Sequence, residues 1–392
     1  MTLVDRPIEH PEQDRLGHNE LAERIAKHIQ MFPPDYADMI GIFGSWGSGK
    51  SGLLNLVHGK LDETFKWISF DALGQPDGVV LLPLLYKLAR DDKIAKKTLP
   101  HVARRLAFLG AEKLVERLHS RTLKEVKITL DGLRDSDGTM PESPNDALRT
   151  WFEKLVARVT AGAIRRVVVA VDNLDRCRPE VAQRAIETIQ AVRECPSCTF
   201  LLAVDHRILE GYTKETSRGS VHDGPRWLEK MLPESFAIPQ PRAREAYSEE
   251  PTSGDAVLAY IRDLLKEPEC QTIRSHERVL WSAISAASIL RNPRYMKGLI
   301  RRCCRIEDTV DPETFEYMVI LIILGDLWPR AAELLWTVNQ TDWEDYVSGS
   351  SPGASEDHEL LEFVQGMGAT GCIYHADKLR AYLDHVARLG LL

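Results

Sequence analysis

Long hydrophobic runs are missing from this chain of 392 residues. The longest unbroken apolar stretch, Met318 to Leu324, is far shorter than the about 20 residues that a membrane-spanning helix needs. The first residues also lack the charged, apolar and small-residue layout of a signal peptide. We therefore expect a cytoplasmic protein without a membrane anchor.

Cysteines are few and irregularly spaced, with seven in the whole chain. Cys195 and Cys198 form a CxxC pair, but no second pair follows at zinc-ribbon spacing, and Cys303 and Cys304 are adjacent. This pattern favours reduced thiols over a disulfide framework or a metal site. A serine nucleophile elbow and carboxylates at nuclease spacing are also absent, so a partner would carry any downstream chemistry.

An overall excess of basic charge is missing as well, since 50 Lys and Arg stand against 58 Asp and Glu, for a net charge of −8. Overall charge thus gives no reason to expect nucleic-acid or membrane binding. Two local basic segments lie at residues 93–127 and 291–305. A solvated helix face explains such segments more often, but they keep a nucleic-acid-stimulated ATPase open as the alternative function.

What the chain does contain is a phosphate-binding loop. Residues 44–51 fit G-x-x-x-x-G-K-[ST] and lie between a short apolar strand, Met39 to Phe43, and a helical pattern. Glycines let backbone N–H groups converge on phosphate oxygens, Lys50 would reach the β- and γ-phosphates, and Ser51 would ligate Mg²⁺. The predicted nucleotide-binding residues of the loop are Gly44, Ser45, Trp46, Gly47, Ser48, Gly49, Lys50, Ser51 and Gly52.

A second informative stretch follows the apolar run Val167 to Val171, which predicts a buried strand of a parallel sheet. The strand ends in Asp172, and a carboxylate at that edge of a nucleotide-binding sheet holds Mg²⁺. Asp175 either orients or deprotonates the attacking water or caps the next helix. Arg176 would neutralise developing charge, in its own site or in that of a neighbouring subunit.

Five short strands alternate with helical patterns up to residue 240, which predicts a parallel α/β sheet. Asp205 and His206 follow the fourth strand, where a polar group could position water, although an ordinary surface histidine is more common.

Proline-rich residues 239–255 mark a domain boundary. We predict a nucleotide-binding core at 1–240, with a helical insertion near 90–150, and an all-helical domain at 255–392. Helical runs are expected at 256–266, 276–290, 293–305, 313–338 and 374–389.

Together these motifs resemble the KAP family of P-loop NTPases, a group within the STAND class. The tryptophan in the phosphate-binding loop and the D-x-L-D-R run are the distinctive parts. The matching motifs are, in order, Asp14-Arg-Leu-Gly17, Gly44-Ser-Trp-Gly-Ser-Gly-Lys-Ser51, Phe70-Asp-Ala72, Asp172-Asn-Leu-Asp-Arg-Cys177, Trp227-Leu-Glu-Lys-Met231, and Asn292-Pro-Arg294.

The resemblance implies a three-layer P-loop ATPase core with strand order 5-1-4-3-2, in which the Val167–Val171 strand lies beside the phosphate-loop strand. It also implies a helical C-terminal lid. Asp14 would lie near the base of the bound nucleotide. Arg294 would reach the nucleotide from the helical lid. ATP is implied as the nucleotide, with Mg²⁺ as its metal.

As a function, the resemblance implies an ATP-driven switch or scaffold that controls self-association or an effector protein, with anti-phage defence as the family analogy. Two features depart from the family. Asn173 stands where a second acid is common, so either Asp175 takes that role, or turnover is slow, or the chain binds nucleotide without hydrolysing it. Residues 90–150, where many members insert membrane helices, are charged here.

Overall fold

Five parallel strands carry the predicted phosphate-binding loop. The computed structural model describes residues 6–73, 84, 87–88, 144–205, 232, 234–239, 255–306, 310–349, 357–367, 371–389 and 391. Its strands are β1 (Asp38–Phe43), β2 (Phe65–Asp71), β3 (Arg166–Asp172), β4 (Cys198–Val204) and β5 (Glu234–Ala237). The basic segment 93–127, His206 and the Trp227–Met231 motif lie outside the described residues.

The strand order is β2-β3-β4-β1-β5, and each neighbouring pair is parallel. This confirms the predicted order and the α/β class. One detail of the expectation was wrong, because β4 rather than β3 lies beside β1, with Asp38 opposite Thr199 and Phe43 opposite Val204. The carboxyl ends of β1, β3 and β4 meet at one edge of the sheet, which is where ligands bind in this class of fold.

Helices cover both faces of the sheet and make a three-layer sandwich. These are α1 (His18–Met31), α2 (Lys50–Lys60), α3 (Pro144–Thr160) and α4 (Pro179–Val192). The apolar side chains of α1 and α2 share one buried cluster, and those of α3 and α4 share the other. The side chains of β3 alternate between the two clusters, with Val167, Val169 and Val171 in one and Val168 and Ala170 in the other. Burial on both faces explains its continuous apolar run.

Helices alone make up the described part of the chain from residue 255 onward. They are α5 (Ala256–Leu265), α6 (Glu277–Ser285), α7 (Pro293–Cys303), α8 (Pro312–Leu327), α9 (Pro329–Thr337), α10 (Gln340–Ser348), α11 (His358–Gly366) and α12 (Ala376–Arg388). Short 3-10 turns at Pro268–His276, Ser288–Arg291 and Cys372–Tyr374 join some of them. Their apolar residues form a third buried cluster, separate from the two beside the sheet.

The helix at the centre of this cluster is α8, which is buried from Phe315 to Leu324. From Tyr317 to Leu324 that burial agrees with the apolar pattern of the sequence. The predicted run 313–338 is in fact two helices, because Pro329 lacks an amide hydrogen and its preceding residue, Trp328, leaves the helical conformation with ψ of 63°. No helix in the described stretches has the length and apolar character needed to cross a membrane.

Candidate nucleotide-binding site

Two glycines give the loop between β1 and α2 its shape. Gly47 and Gly49 have φ of 83° and 97°, a backbone conformation that side chains with a Cβ rarely adopt. A Cβ on Gly47 would lie 2.6 Å from Oδ1 of Asn292, and one on Gly49 would lie 2.8 Å from Nε2 of His18. The loop therefore needs glycine at both positions, for conformation and for space.

Lys50 is the first residue of α2, and its side chain is almost fully buried. Its Nζ donates hydrogen bonds to the carbonyl oxygens of Gly44 at 2.9 Å and Ser45 at 3.2 Å. The same nitrogen lies 2.9 Å from Oδ2 of Asp175, whose side chain is 3% exposed. Removing one partner of a buried ion pair leaves the other charge buried and unpaired, which is costly. The pairing with Asp175 therefore holds the Lys50 ammonium group in this position.

Ser51 and Asp172 lie in direct contact at the end of β3. The Ser51 hydroxyl donates to Oδ2 of Asp172 at 2.5 Å. Mg²⁺ prefers such oxygen ligands, and in phosphate-binding sites it usually takes only one or two from the protein. Within the described ranges, no group of three or more His, Cys, Asp or Glu side chains could hold a metal ion. The Ser51–Asp172 pair fits a magnesium ion shared with nucleotide phosphates.

A tight turn places the rest of the D-x-L-D-R run. Asn173 has φ of 60°, a conformation that asparagine adopts more readily than most residues, and the 3-10 turn Leu174–Arg176 begins after it. The Asn173 side-chain amide donates to Oδ1 of Asp71, at the end of β2, at 3.0 Å. An acid at position 173 would instead place two carboxylates in contact, so the amide suits this strand end.

The turn also excludes one of the two roles expected of Asp175 and leaves the role toward the attacking water a prediction. The residue that caps α4 is Arg178, so Asp175 does not act as a helix cap. It pairs with Lys50 instead, as described above. Arg176 is exposed and lines the cleft beside the phosphate-binding loop.

The segment before α1 forms one wall of that cleft. Asp14 accepts hydrogen bonds from the backbone amides of Leu16 at 3.0 Å and Asn19 at 2.7 Å, and its Oδ1 lies 3.4 Å from Nδ1 of His18. Burial would raise the pKa of Asp14, but the bonds from His18, Asn19 and Leu16 outweigh it and lower the pKa to about 2. On its other side, His18 Nε2 is hydrogen-bonded to the carbonyl oxygen of Ser48 at 2.8 Å.

Trp46 joins the loop to the helical region. Its backbone amide donates to Oδ2 of Asp205 at 3.2 Å, and its carbonyl oxygen accepts from Nδ2 of Asn292 at 2.6 Å. The guanidinium carbon of Arg294 lies 4.2 Å from the centre of the indole ring, a cation–π contact. One loop residue thus touches both the end of β4 and the start of α7.

Comparison with known proteins agrees with this geometry. A model of the KAP family P-loop domain matches residues 18–309, which is more than half of the chain. The chain belongs to the KAP family of P-loop NTPases. The match runs from the first residue of α1 to beyond α7, so it includes the phosphate-binding loop, Asp172 and the contact with Trp46.

A curated relative of this KAP protein is the phage T7 exclusion protein of Escherichia coli (strain K12), which is 25% identical over 285 residues. The match takes in 66% of this chain but only 38% of the relative's length.

Solved structures with a similar outline have lower identity. A Walker-type ATPase of Pyrococcus abyssi has 13% identity and a TM-score of 0.38, with 97% of this chain and all of that chain covered. The Aeropyrum pernix ORC2 protein, in ADPNP–ADP complexes, has 14% identity and a TM-score of 0.42, with 99% and 98% covered.

Most predicted site residues of this KAP protein lie around one cleft. They are Trp46, Gly47 and residues 49–52 of the loop, with Asp14, Asp172, Asp175, Arg176 and Arg294. Gly44, Ser45 and Ser48 lie behind them, where their carbonyl oxygens bond to Lys50 and His18. Their roles toward nucleotide stay predictions.

Sequence reasoning missed the structural parts played by His18, Asn292 and Asp71. Asn292 had a readable signal, because an asparagine before a proline at a helix start is a typical N-cap. Its second bond, to Trp46, joins residues 246 positions apart and had no local signal.

Proposed function

We propose that this KAP protein binds and hydrolyses ATP with Mg²⁺, and that the bound nucleotide sets the contact between a sheet domain at 1–240 and a helical domain at 255–392. The observation that carries the proposal is the position of Trp46. Its amide donates to Asp205 at the end of β4. Its carbonyl oxygen and ring contact Asn292 and Arg294 at the start of α7. A change in the phosphate-binding loop would therefore reach the helical domain through direct contacts.

The residues around the loop have complementary roles in this proposal. Lys50 supplies positive charge to the β- and γ-phosphates, and Asp175 positions it through their ion pair. Ser51 and Asp172 hold Mg²⁺, which when bound neutralises charge on the same phosphates. Arg176, exposed at the cleft, offers a further cation to the phosphates of its own site or of a neighbouring subunit.

The wall formed by residues 6–18 is the proposed neighbour of the adenine base. It brings Ile8 and Leu16 to the cleft, which Tyr260 of α5 also lines. Flat aromatic and apolar surfaces suit a base, while Asp14 holds the wall in shape through its bonds to Leu16 and Asn19. The choice of ATP over GTP rests on family membership.

The output of the switch is proposed to be self-association or the control of an effector protein in phage defence. The support is the name of the Escherichia coli relative, a phage T7 exclusion protein. The match covers only 38% of that relative's length, so a role in phage exclusion is a proposal for this protein.

Nucleic-acid-stimulated hydrolysis is the rival function, and α7 lends it little support. Arg294 covers Trp46, Arg302 bonds to Asp326, and Arg291 lies 4.0 Å from Glu362. At least half of the basic run at 291–305 is therefore engaged within the protein.

The test measures Mg²⁺-ATP hydrolysis and particle mass together, for the wild type, Lys50→Ala and Asp172→Ala, with and without DNA or RNA. We expect ATP to change the particle mass of the wild type only, with no effect of nucleic acid. A several-fold rise in turnover with nucleic acid that disappears at high salt would favour the rival, since phosphate contacts weaken steeply with salt. Failure of the wild type to hydrolyse ATP would overturn the enzymatic part.

A further inference from the structure

Two cysteines of the helical region lie close enough to react with each other. Sγ of Cys304, just after α7, is 3.1 Å from Sγ of Cys270, which belongs to the 3-10 turn Pro268–His276. A disulfide bond needs a separation of about 2.05 Å, so the two sulfurs have about an ångström left to close. We propose that Cys270 and Cys304 are an oxidation site, at which a hydroperoxide converts the two thiols to a reversible disulfide.

The backbone on both sides of the pair is already fixed. The amide of Cys270 donates to the carbonyl of Glu267 at 3.0 Å, and the amide of Cys304 donates to Ile300 at 3.0 Å. The Thr272 hydroxyl bridges the two segments, since it donates to the carbonyl of Cys304 at 3.4 Å. Because the first two bonds fix each backbone locally and the Thr272 bond joins the segments in the dithiol form, crosslinking requires side-chain rotation rather than movement of a helix.

The third nearby thiol, Cys303, is a poor partner for Cys304. Both residues have helical backbone conformation, with φ of −61° and ψ of −10° at Cys304, so adjacent side chains point about 100° apart around the axis. The geometry therefore selects Cys270, although it is 34 positions away in the chain.

Accessibility assigns the first step to Cys304, which is partly exposed, whereas Cys270 is fully buried. The Cys304 thiolate attacks the peroxide O–O bond, forming a sulfenic acid and releasing hydroxide. The Cys270 sulfur then attacks the Cys304 sulfur, the S–O bond breaks, and the hydroxide leaves as water with the Cys270 proton. The hydroxide released first takes the proton that left the Cys304 thiol. The two thiols thus lose two electrons in total, and hydrogen peroxide is reduced to two water molecules.

Burial raises the pKa of both thiols, so the reactive thiolate is scarce. The pair consequently stays a dithiol until an oxidant is supplied. Once formed, the bond would close a loop containing α6 and the whole of α7, including Asn292 and Arg294. The oxidation site would thus restrain the segment that contacts Trp46. That consequence for the nucleotide site rests on the proposed function, whereas the thiol chemistry does not.

The test treats the 392-residue chain with a small excess of hydrogen peroxide, blocks the remaining thiols, and maps peptides without reduction. We expect the loss of two blockable thiols, a peptide joining Cys270 to Cys304, and reversal by dithiothreitol. Cys303→Ala should keep the crosslink and Cys304→Ser should abolish it. Joined peptides that contain Cys303, or sulfinic acid at Cys304 with Cys270 still blockable, would overturn the assignment.

Thermal unfolding of the oxidised and reduced wild type gives a second readout that needs no variant. A crosslink that fits the folded state should raise the Tm by a few degrees, because it limits the unfolded chain. A lower Tm after crosslinking would show that the folded protein does not present the pair in a bonding arrangement. Neither readout depends on ATP hydrolysis. Failure of the oxidation-site proposal would therefore leave the proposed function untouched.

Discussion

At the scale of single residues, the candidate site depends on positions where the backbone tolerates few side chains. Gly47, Gly49 and Asn173 all have positive φ, and all three lie beside the predicted nucleotide phosphates or metal ligands. Each also makes a close approach or hydrogen bond that a larger or charged residue would disturb. Conformation and chemistry are therefore constrained at the same positions.

Gly49→Ala should damage both the fold and the site. A left-handed backbone costs an alanine about 1–2 kcal/mol, and its Cβ would meet His18 Nε2 at 2.8 Å. We expect the free energy of unfolding to fall by at least about 1 kcal/mol and ATP binding to be lost. Urea unfolding and calorimetric titration with ATP measure the two effects.

The matched control is Gly59→Ala, near the end of α2, the helix that follows Gly49. A Cβ at Gly59 meets nothing within 4 Å, and alanine is favoured over glycine in helices by about 0.5–1 kcal/mol. This variant should be as stable as the wild type or more so, with unchanged ATP binding. Equal behaviour of the two variants would show that the loop conformation at Gly49 is not required.

Asp14→Asn should destabilise the protein in a pH-dependent way. The pKa of Asp14 is lowered from 3.8 to about 2 in the fold, so its stabilising effect is complete above pH 4 and is lost as the pH falls through about 2. At pH 7 we expect a loss of about 1–2 kcal/mol after solvent screening. Urea midpoints at pH 7 and pH 2.5 measure it, with Glu12→Gln, an exposed acid of the same segment, as the control. A deficit that does not shrink at pH 2.5 would contradict this account.

At the scale of elements, α7 carries the contact between the helical region and the phosphate-binding loop. Asn292 acts in two directions, since Oδ1 accepts from the Arg294 amide at 3.0 Å and Nδ2 donates to the Trp46 carbonyl at 2.6 Å. Capping and contact with the loop therefore depend on different atoms of one side chain, and substitutions can separate them.

Asn292→Asp keeps the cap acceptor and loses the donor, whereas Asn292→Ala loses both. We expect the alanine variant to lose about 1 kcal/mol of stability and the aspartate variant to lose little. Both should bind ATP more weakly, because neither holds the Trp46 carbonyl. Thermal unfolding and ATP titration separate the two effects. Wild-type affinity in the aspartate variant would show that the Trp46 contact has no part in nucleotide binding.

Elements with a regular apolar pattern could be predicted from the sequence, and those shaped by distant packing could not. The buried strand at Val167–Val171 was found one residue short at each end, as β3. The helices α10 and α11 were missed. Each has only a few buried residues, such as Trp343 in α10, and these face other helices that sequence periodicity does not reveal. The site followed the same rule: local motifs were found, and the Lys50–Asp175 and Asn292–Trp46 pairs were not.

At the scale of the whole molecule, two segments in the described part of the chain join the sheet to the helical region. The first is residues 14–18, in which Arg15 pairs with Asp263 of α5 and Leu16 packs against the helical core. The second is the start of α7, through Asn292 and Arg294. Both segments also touch the phosphate-binding loop, since His18 and Asn292 bond to its carbonyl oxygens. Both of these connections therefore also contact the phosphate-binding loop.

Hydrogen–deuterium exchange of α7 with and without Mg²⁺-ATP tests this account most directly. It would be measured for the wild type, for Lys50→Met, and for Lys60→Met, which changes the last residue of the same helix α2. We predict that Mg²⁺-ATP slows exchange in residues 293–303 of the wild type and Lys60→Met, and has no effect in Lys50→Met. Unchanged exchange in the wild type, or equal slowing in Lys50→Met, would contradict the claim that nucleotide in the loop reaches the helical region.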